Sequence, residues 1–163
     1  MADEVIEKRE LLFAVEGVRT PQSLVLEADL TVAGLLEHVR LATGRNDLVE
    51  VLIEDEEIAL PHHEIVFERI TIEEFRLIHV ATGGEITVSV AFNGSKQRSF
   101  KPSATMAKVV RWAMHEFSLQ GDPSEFQLKF GETILAPGEH LGQVAHGAKE
   151  LRLSLVMKIR PQG

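Results

Sequence analysis

The chain has no cysteine, which excludes a disulfide framework, a cysteine-ligated zinc site and a thiol nucleophile of its own. Any thioester chemistry must use a partner's cysteine. It also lacks any run of about 18 apolar residues, so no membrane-spanning helix and no membrane partner are expected. The opening Met1-Ala2-Asp3-Glu4 carries acid where a secretory signal carries base, and a cytoplasmic location is the expectation. Lys and Arg are not clustered among aromatics, so nucleic acid is not expected as a ligand. There is no nucleophile elbow, no phosphate loop and no carboxylate pair in a catalytic setting. Neither an enzyme activity nor a cofactor is expected.

What the 163 residues do hold is 44% apolar and 26% charged side chains, the composition of a folded protein with room for one ordinary domain or two small ones. The net charge of −8 is unevenly divided. Residues 1–84 carry 7 Lys and Arg against 18 Asp and Glu, a net of −11, and residues 85–163 carry 10 against 7, a net of +3. One half is strongly acidic and the other mildly basic.

The same grammar occurs twice, about 75 residues apart, as expected of a duplicated small domain. In the second copy Ile86, Val88, Val90 and Phe92 alternate with Thr87, Ser89 and Ala91. Asn93-Gly94 supplies a tight turn, and Gln97 to Lys101 returns as the partner strand. Ser103 to Phe117 then sets Met106, Val109, Val110 and Ala113 on one helical stripe behind the capping residue Thr105. Phe126 to Phe130 alternates, Thr133 to Leu135 is a short strand, and Leu151, Leu153, Leu155, Met157 and Ile159 form the apolar face of a last strand. In the first copy the strands are Leu11 to Val15 and Ser23 to Glu27. A helix from Thr31 places Val32, Leu35, Leu36 and Val39 each 74 positions before its counterpart. Leu48 to Ile53, Ile58 to Leu60 and Phe75 to Val80 complete the unit. Each copy reads as a mixed sheet over one helix, an α+β roll, with the last strand central and a parallel neighbour across the helix crossover. The expected division is a first domain over residues 1–82, a linker at 83–84, a second domain over 85–158 and a tail at 159–163. Gly83-Gly84 keeps the copies close and their orientation adjustable, and packing between them would supplement two thin cores.

The hairpin, the Thr-capped helix, Phe126-Gln127-Leu128-Lys129-Phe130-Gly131, Leu135 with Pro137-Gly138 and His140-Leu141, and Leu151-Arg152-Leu153 leading to Gly163 together resemble ubiquitin. The chain as a whole is similar to tandem ubiquitin-like modifiers with two β-grasp domains. These are the interferon-stimulated vertebrate modifier and its bacterial look-alikes, encoded in antiphage operons beside an activating enzyme, a conjugating enzyme and a metalloprotease of the deubiquitinase type. The resemblance implies that the carboxylate of Gly163 is adenylated, transferred to a partner's cysteine and joined to amines on target proteins, in the bacterial setting a phage structural protein. Lys158, Ile159, Arg160, Pro161 and Gln162 would be the tail that the enzymes recognise. A glycine suits a narrow catalytic channel because it has no Cβ, and Arg160 can pair bidentately with acidic groups. The end differs from the Arg-Gly-Gly of ubiquitin, and Lys129 and Ser154 stand where ubiquitin's apolar binding patch has isoleucine and valine, so generic ubiquitin receptors are not expected to bind. Two other functions stay open: a noncovalent two-domain adaptor, and a sulfur carrier with a terminal thiocarboxylate.

Other features have plainer readings. His62-His63-Glu64 reads as a solvated loop and His115-Glu116 as surface, since neither has the second cluster a metal site needs. The acidic run Asp47, Glu50, Glu54, Asp55, Glu56 and Glu57 is either solvated or an orienting contact with the positive second domain. Trp112 is expected in a core or at a domain interface.

Overall fold

A computed structural model describes residues 7–70, 77–145 and 149–158. In the first domain β1 (Lys8–Val15) and β2 (Gln22–Glu27) form a hairpin, α1 (Val32–Thr43) crosses over, and β3 (Glu50–Ile53), α2 (Val66–Arg69) and β4 (Ile78–Ala81) follow. The second domain repeats the plan with β5 (Ile86–Ala91), β6 (Ser95–Phe100), α3 (Met106–Glu116), β7 (Phe126–Phe130), β8 (Thr133–Leu135), α4 (Leu141–Ala145) and β9 (Glu150–Met157). The sheets run β2-β1-β4-β3 and β6-β5-β9-β7-β8, and β1 with β4 and β5 with β9 are the parallel pairs. Two such α+β sheets, each wrapped on one helix, are two β-grasp domains.

Periodicity fixes what each helix buries. Val32, Leu35, Leu36 and Val39 enter the first core, and Met106, Val109, Val110 and Ala113 enter the second. Both helices begin on a threonine whose hydroxyl accepts a backbone N–H three residues on, Gly34 for Thr31 and Lys108 for Thr105, satisfying an amide that no helical carbonyl can reach. The β5–β6 hairpin turns at Asn93 (φ 48°) and Gly94 (φ 117°), the positive dihedrals that a two-residue turn demands.

Two expectations need correction. Residues 58–60 form no strand; Leu60 N–H bonds Val51 O at 2.8 Å, Pro61 next to it has no N–H to extend a ladder, and Ile58 is 83% exposed. The first sheet therefore has four strands among the described residues. Met157 does not join the core face of β9: it pairs with Phe126 in the last rung of the β7–β9 ladder and is 61% exposed. Phe75 lies outside the described residues.

The glycine linker does not leave the domains free, because a dense junction fixes them. Ile78 and Val80 of β4 face the first core, while Ala14, Leu52 and His79 point from the other side of the sheet and are all fully buried. The second domain covers them: a Cβ on Gly142 of α4 would collide with the His79 ring. Gly17 N–H bonds Gly142 O at 2.8 Å, Asp55 N–H bonds Ser103 O at 3.0 Å, and Arg19 pairs with Glu139 at 2.6 Å. Glu16, fully buried, accepts Thr82 N–H at 2.8 Å and lies 3.8 Å from Lys149, which also donates to Gly83 O. Gly83 (φ 92°) and Gly84 (φ 79°) take backbone conformations that L side chains rarely adopt.

The later part of the acidic run, Glu54 to Glu57, is part of this contact, whereas Asp47 pairs with Arg45 of its own domain. Asp55, itself at φ 64°, sends its carboxylate to the start of α3, where it accepts Thr105 N–H at 2.8 Å and the Thr105 hydroxyl at 3.0 Å. A negative group there also meets the positive end of the helix dipole. Glu57 adds weaker pairs with Lys108 and Arg98.

Thr31→Ala should cost about 1 kcal/mol, the usual value of a lost cap, by urea denaturation. Thr105→Ala should cost more, because it also strips a partner from Asp55. Asp55→Ala should destabilise the transition reported by Trp112 fluorescence although Asp55 lies in the other domain; equal losses for the two threonines and no effect of Asp55→Ala would contradict the junction.

Candidate functional site

The proposed reactive end, Gly163, and Ile159, Arg160, Pro161 and Gln162 lie outside the described residues. What the structure provides is the root of that segment. β9 is the middle strand of its sheet, held by β5 on one side and β7 on the other, and Leu151, Leu153 and Leu155 anchor it in the core. Lys158 follows directly, exposed, its backbone N–H bonded to Glu125 O at 2.8 Å.

Glu125 ends a 3₁₀ turn, Pro123–Glu125, whose shape depends on Asp122: its carboxylate accepts Ser124 N–H at 2.8 Å. That backbone N–H, with Ser124 as a whole, holds the Asp122 carboxyl below its ordinary value of 3.8. The same turn walls an apolar groove of about 340 Å³ between α3 and the β7–β8 hairpin, lined by Met106, Val110, Phe126, Leu135, Pro137 and Lys158 among others. The groove is large enough for a small ligand or a peptide side chain.

The outer face of the second sheet is polar. Lys129 of β7 and Ser154 of β9 are direct cross-strand partners, so the two positions that depart from ubiquitin's apolar patch lie side by side, with Arg152 and Ser89 paired nearby. Ile134, opposite Lys129, is 54% exposed.

The remaining candidates stay apart. His62 and His63 are exposed in a loop, His62 Nε2 lying 3.2 Å from Val49 O, and His115 and Glu116 are exposed at the end of α3. Among the described residues no group of three potential ligands could hold a metal ion, and no helix is long and apolar enough to cross a membrane. Trp112 is partly buried on the second core, edge-on to Phe100 at 5.5 Å. Sequence reasoning missed Glu16, His79 and His140 at the junction; single buried polar residues leave no periodic trace.

The two Thr-capped helices and the two sheets with parallel central pairs are the plan of two ubiquitin-like β-grasp domains. Residues 87–158 match the family described as BilA ubiquitin-like domain 2. Among solved structures, the chain is similar to Caldiarchaeum subterraneum ubiquitin, at 16% identity over 48% of this chain and 100% of that one, with a TM-score of 0.40. It is also similar to a structure described as "Molecular Mimicry of SUMO promotes DNA repair", at 17% identity over 46% of this chain and 94% of that one, with a TM-score of 0.40. No curated protein matches the chain.

Asp122→Ala should speed hydrogen exchange at the Ser124 and Lys158 amides, because the turn that carries Glu125 loses its cap. The carboxyl is lowered by folding, so in the unsubstituted chain that protection is complete above pH 3.8 and is lost as the pH falls further. Equal exchange in both proteins at neutral pH would show that the turn holds without Asp122.

Proposed function

We propose that this chain is a ubiquitin-like protein modifier, a substrate of partner enzymes rather than a catalyst. The observation that carries this reading is the match of residues 87–158 to BilA ubiquitin-like domain 2, the domain whose central strand leads into the segment ending at Gly163. In the proposed sequence an oxygen of the Gly163 carboxylate attacks the α-phosphorus of ATP on an activating enzyme and pyrophosphate leaves. A cysteine thiolate of that enzyme displaces AMP to form a thioester, which passes by thiol exchange to a conjugating enzyme. An amine of the target then displaces the thiol and forms an amide. This chain supplies no group to the chemistry beyond the carboxylate: the domains are the recognition surface, and Lys158 to Gln162 span the distance from that surface to the catalytic centres.

The partners of this reading are an activating enzyme, a conjugating enzyme and a metalloprotease of the deubiquitinase type that removes the label. The setting is the bacterial cytoplasm during antiphage defence, with phage structural protein as target class. A noncovalent adaptor is the second reading, and the apolar groove beside Lys158 favours it, since a binding platform needs a concave apolar surface.

The test is coexpression of the N-terminally tagged chain with its genomic neighbours, with and without Gly163. Adducts that survive denaturation and need both Gly163 and an active activating enzyme are expected. Their absence with active enzymes present would overturn the modifier in favour of the adaptor.

A further inference from the structure

Glu16, His79 and His140 are the fully buried titratable side chains among the described residues, and all three lie at the domain junction. Glu16 has Lys149 and Thr82 as partners. The two histidines have each other. His79 Nδ1 lies 2.9 Å from His140 Nδ1, and His140 Nε2 lies 2.7 Å from Glu54 Oε2. His79 Nε2 has no hydrogen-bond partner and is closed in by Gly142 and Pro102, where even an added Cβ on Gly142 would collide.

A hydrogen bond between two nitrogens needs one N–H and one lone pair. With both rings neutral, His140 donates Nε2–H to Glu54 and accepts His79 Nδ1–H. With one added proton, an imidazolium at His140 keeps Glu54 and donates Nδ1–H to a neutral His79, whose own N–H then sits on Nε2 with no acceptor. With two, N–H faces N–H at hydrogen-bond distance between like charges, and the contact cannot survive. The junction therefore holds at most one imidazolium.

The charged groups around the pair do not change that count. From β3 and the turn after it come Glu54, Asp55 and Glu57; Asp55 is bonded to Thr105, and Glu57 lies near Arg98 and Lys108. From β1 and its loop come Glu16 and Arg19, the latter paired with Glu139, and Arg45 donates to Glu16 O. From the second domain come Lys108, Glu139 and Lys149, and α4 itself has no charged residue. Glu54 is the carboxylate bonded to a ring nitrogen, and it faces His140 rather than His79.

We propose that the His79–His140 contact is a proton-operated latch between the domains: a second proton releases α4 from the β4 face, and the domains swing apart at Gly83-Gly84. Each domain keeps its own core, so opening does not require unfolding. Burial, then the neighbouring His140, hold the proton affinity of His79 well below the ordinary histidine value of 6.5. The sign follows. An opened chain returns His79 to water and to that ordinary value, so below pH 6.5 the open form binds a proton the closed form refuses. The closed-to-open ratio then falls by up to tenfold for each pH unit per proton taken up. Above pH 6.5 the latch is fully effective, and the window down to pH 5 lies above the range of ordinary carboxylates.

The absence of native cysteine allows specific labelling. Spin labels on Leu41→Cys and Glu132→Cys, both exposed and in different domains, report the interdomain distance in the full chain from pH 8 to pH 5. The expected result is a single distance at pH 8 and a second, longer population growing below pH 6.5 by no more than tenfold per unit per proton. His79→Asn, whose amide N–H replaces the Nδ1 donor without taking a proton, should keep the short distance throughout. A wild-type distance unchanged at pH 5, or His79→Asn opening along the wild-type curve, overturns the latch. If His79→Asn is open or unfolded at pH 8, nitrogen NMR of the unsubstituted chain decides. His79 must take up its proton only in step with opening, below pH 6.5; titration near 6.5 without a distance change overturns the proposal.

Discussion

The face of the first sheet turned away from α1 is the constraint on which the arrangement depends. Ala14, Leu52 and His79 lie there and are sealed from water, which a lone β-grasp domain with a thin core could not achieve. The second domain closes that face with α4 and the backbone around Pro102, and α4 can approach so closely because Gly142 has no side chain. Asp55 then supplies the first turn of α3 with an acceptor from the neighbouring domain. The charge asymmetry of the two halves thus has a structural use: acid from the first domain meets the helix start and the lysines of the second.

This packing leaves the other functional features free. The residues lining the groove beside Lys158 are not those that bond the first domain, and the polar outer face around Lys129 and Ser154 belongs to the opposite side of its own sheet from the core. A reader of the second domain therefore meets the strand exit, the groove and the polar face on a body whose orientation is set by the first. In the modifier reading, the first domain is a rigid extension of the label.

The sequence made most of the fold legible through periodicity. The two four-residue stripes of α1 and α3 are buried as their spacing requires, and the capping threonines, the Asn93-Gly94 turn and the central position of β9 have local chemical causes. What escaped has causes as well. The helices α2 and α4 are too short to show a period. The apolar spacing at Ile58 to Leu60 looked like a strand, but the preceding residues are committed to the second domain and Pro61 stops the ladder. Met157 continued the alternation of β9 into the last rung of its sheet. The junction was foreshadowed by the acidic run and by the thinness of the two cores; His79 read as one more residue of a strand, and nothing local marks a histidine as buried against another 61 positions away. The tail at Ile159 to Gly163 was singled out from sequence and family resemblance, and it lies beyond the residues the structure describes.

The central claim is that this chain becomes joined to other proteins through Gly163, and peptide mass spectrometry of purified adducts tests it most directly. Trypsin cuts after Lys158 but is blocked at Arg160 by Pro161, so a modified lysine should carry the remnant Ile-Arg-Pro-Gln-Gly. Finding that remnant on a target lysine is the result the account predicts. Adducts whose lysines carry no such remnant, or a chain recovered only with sulfur in place of a terminal oxygen, would contradict it.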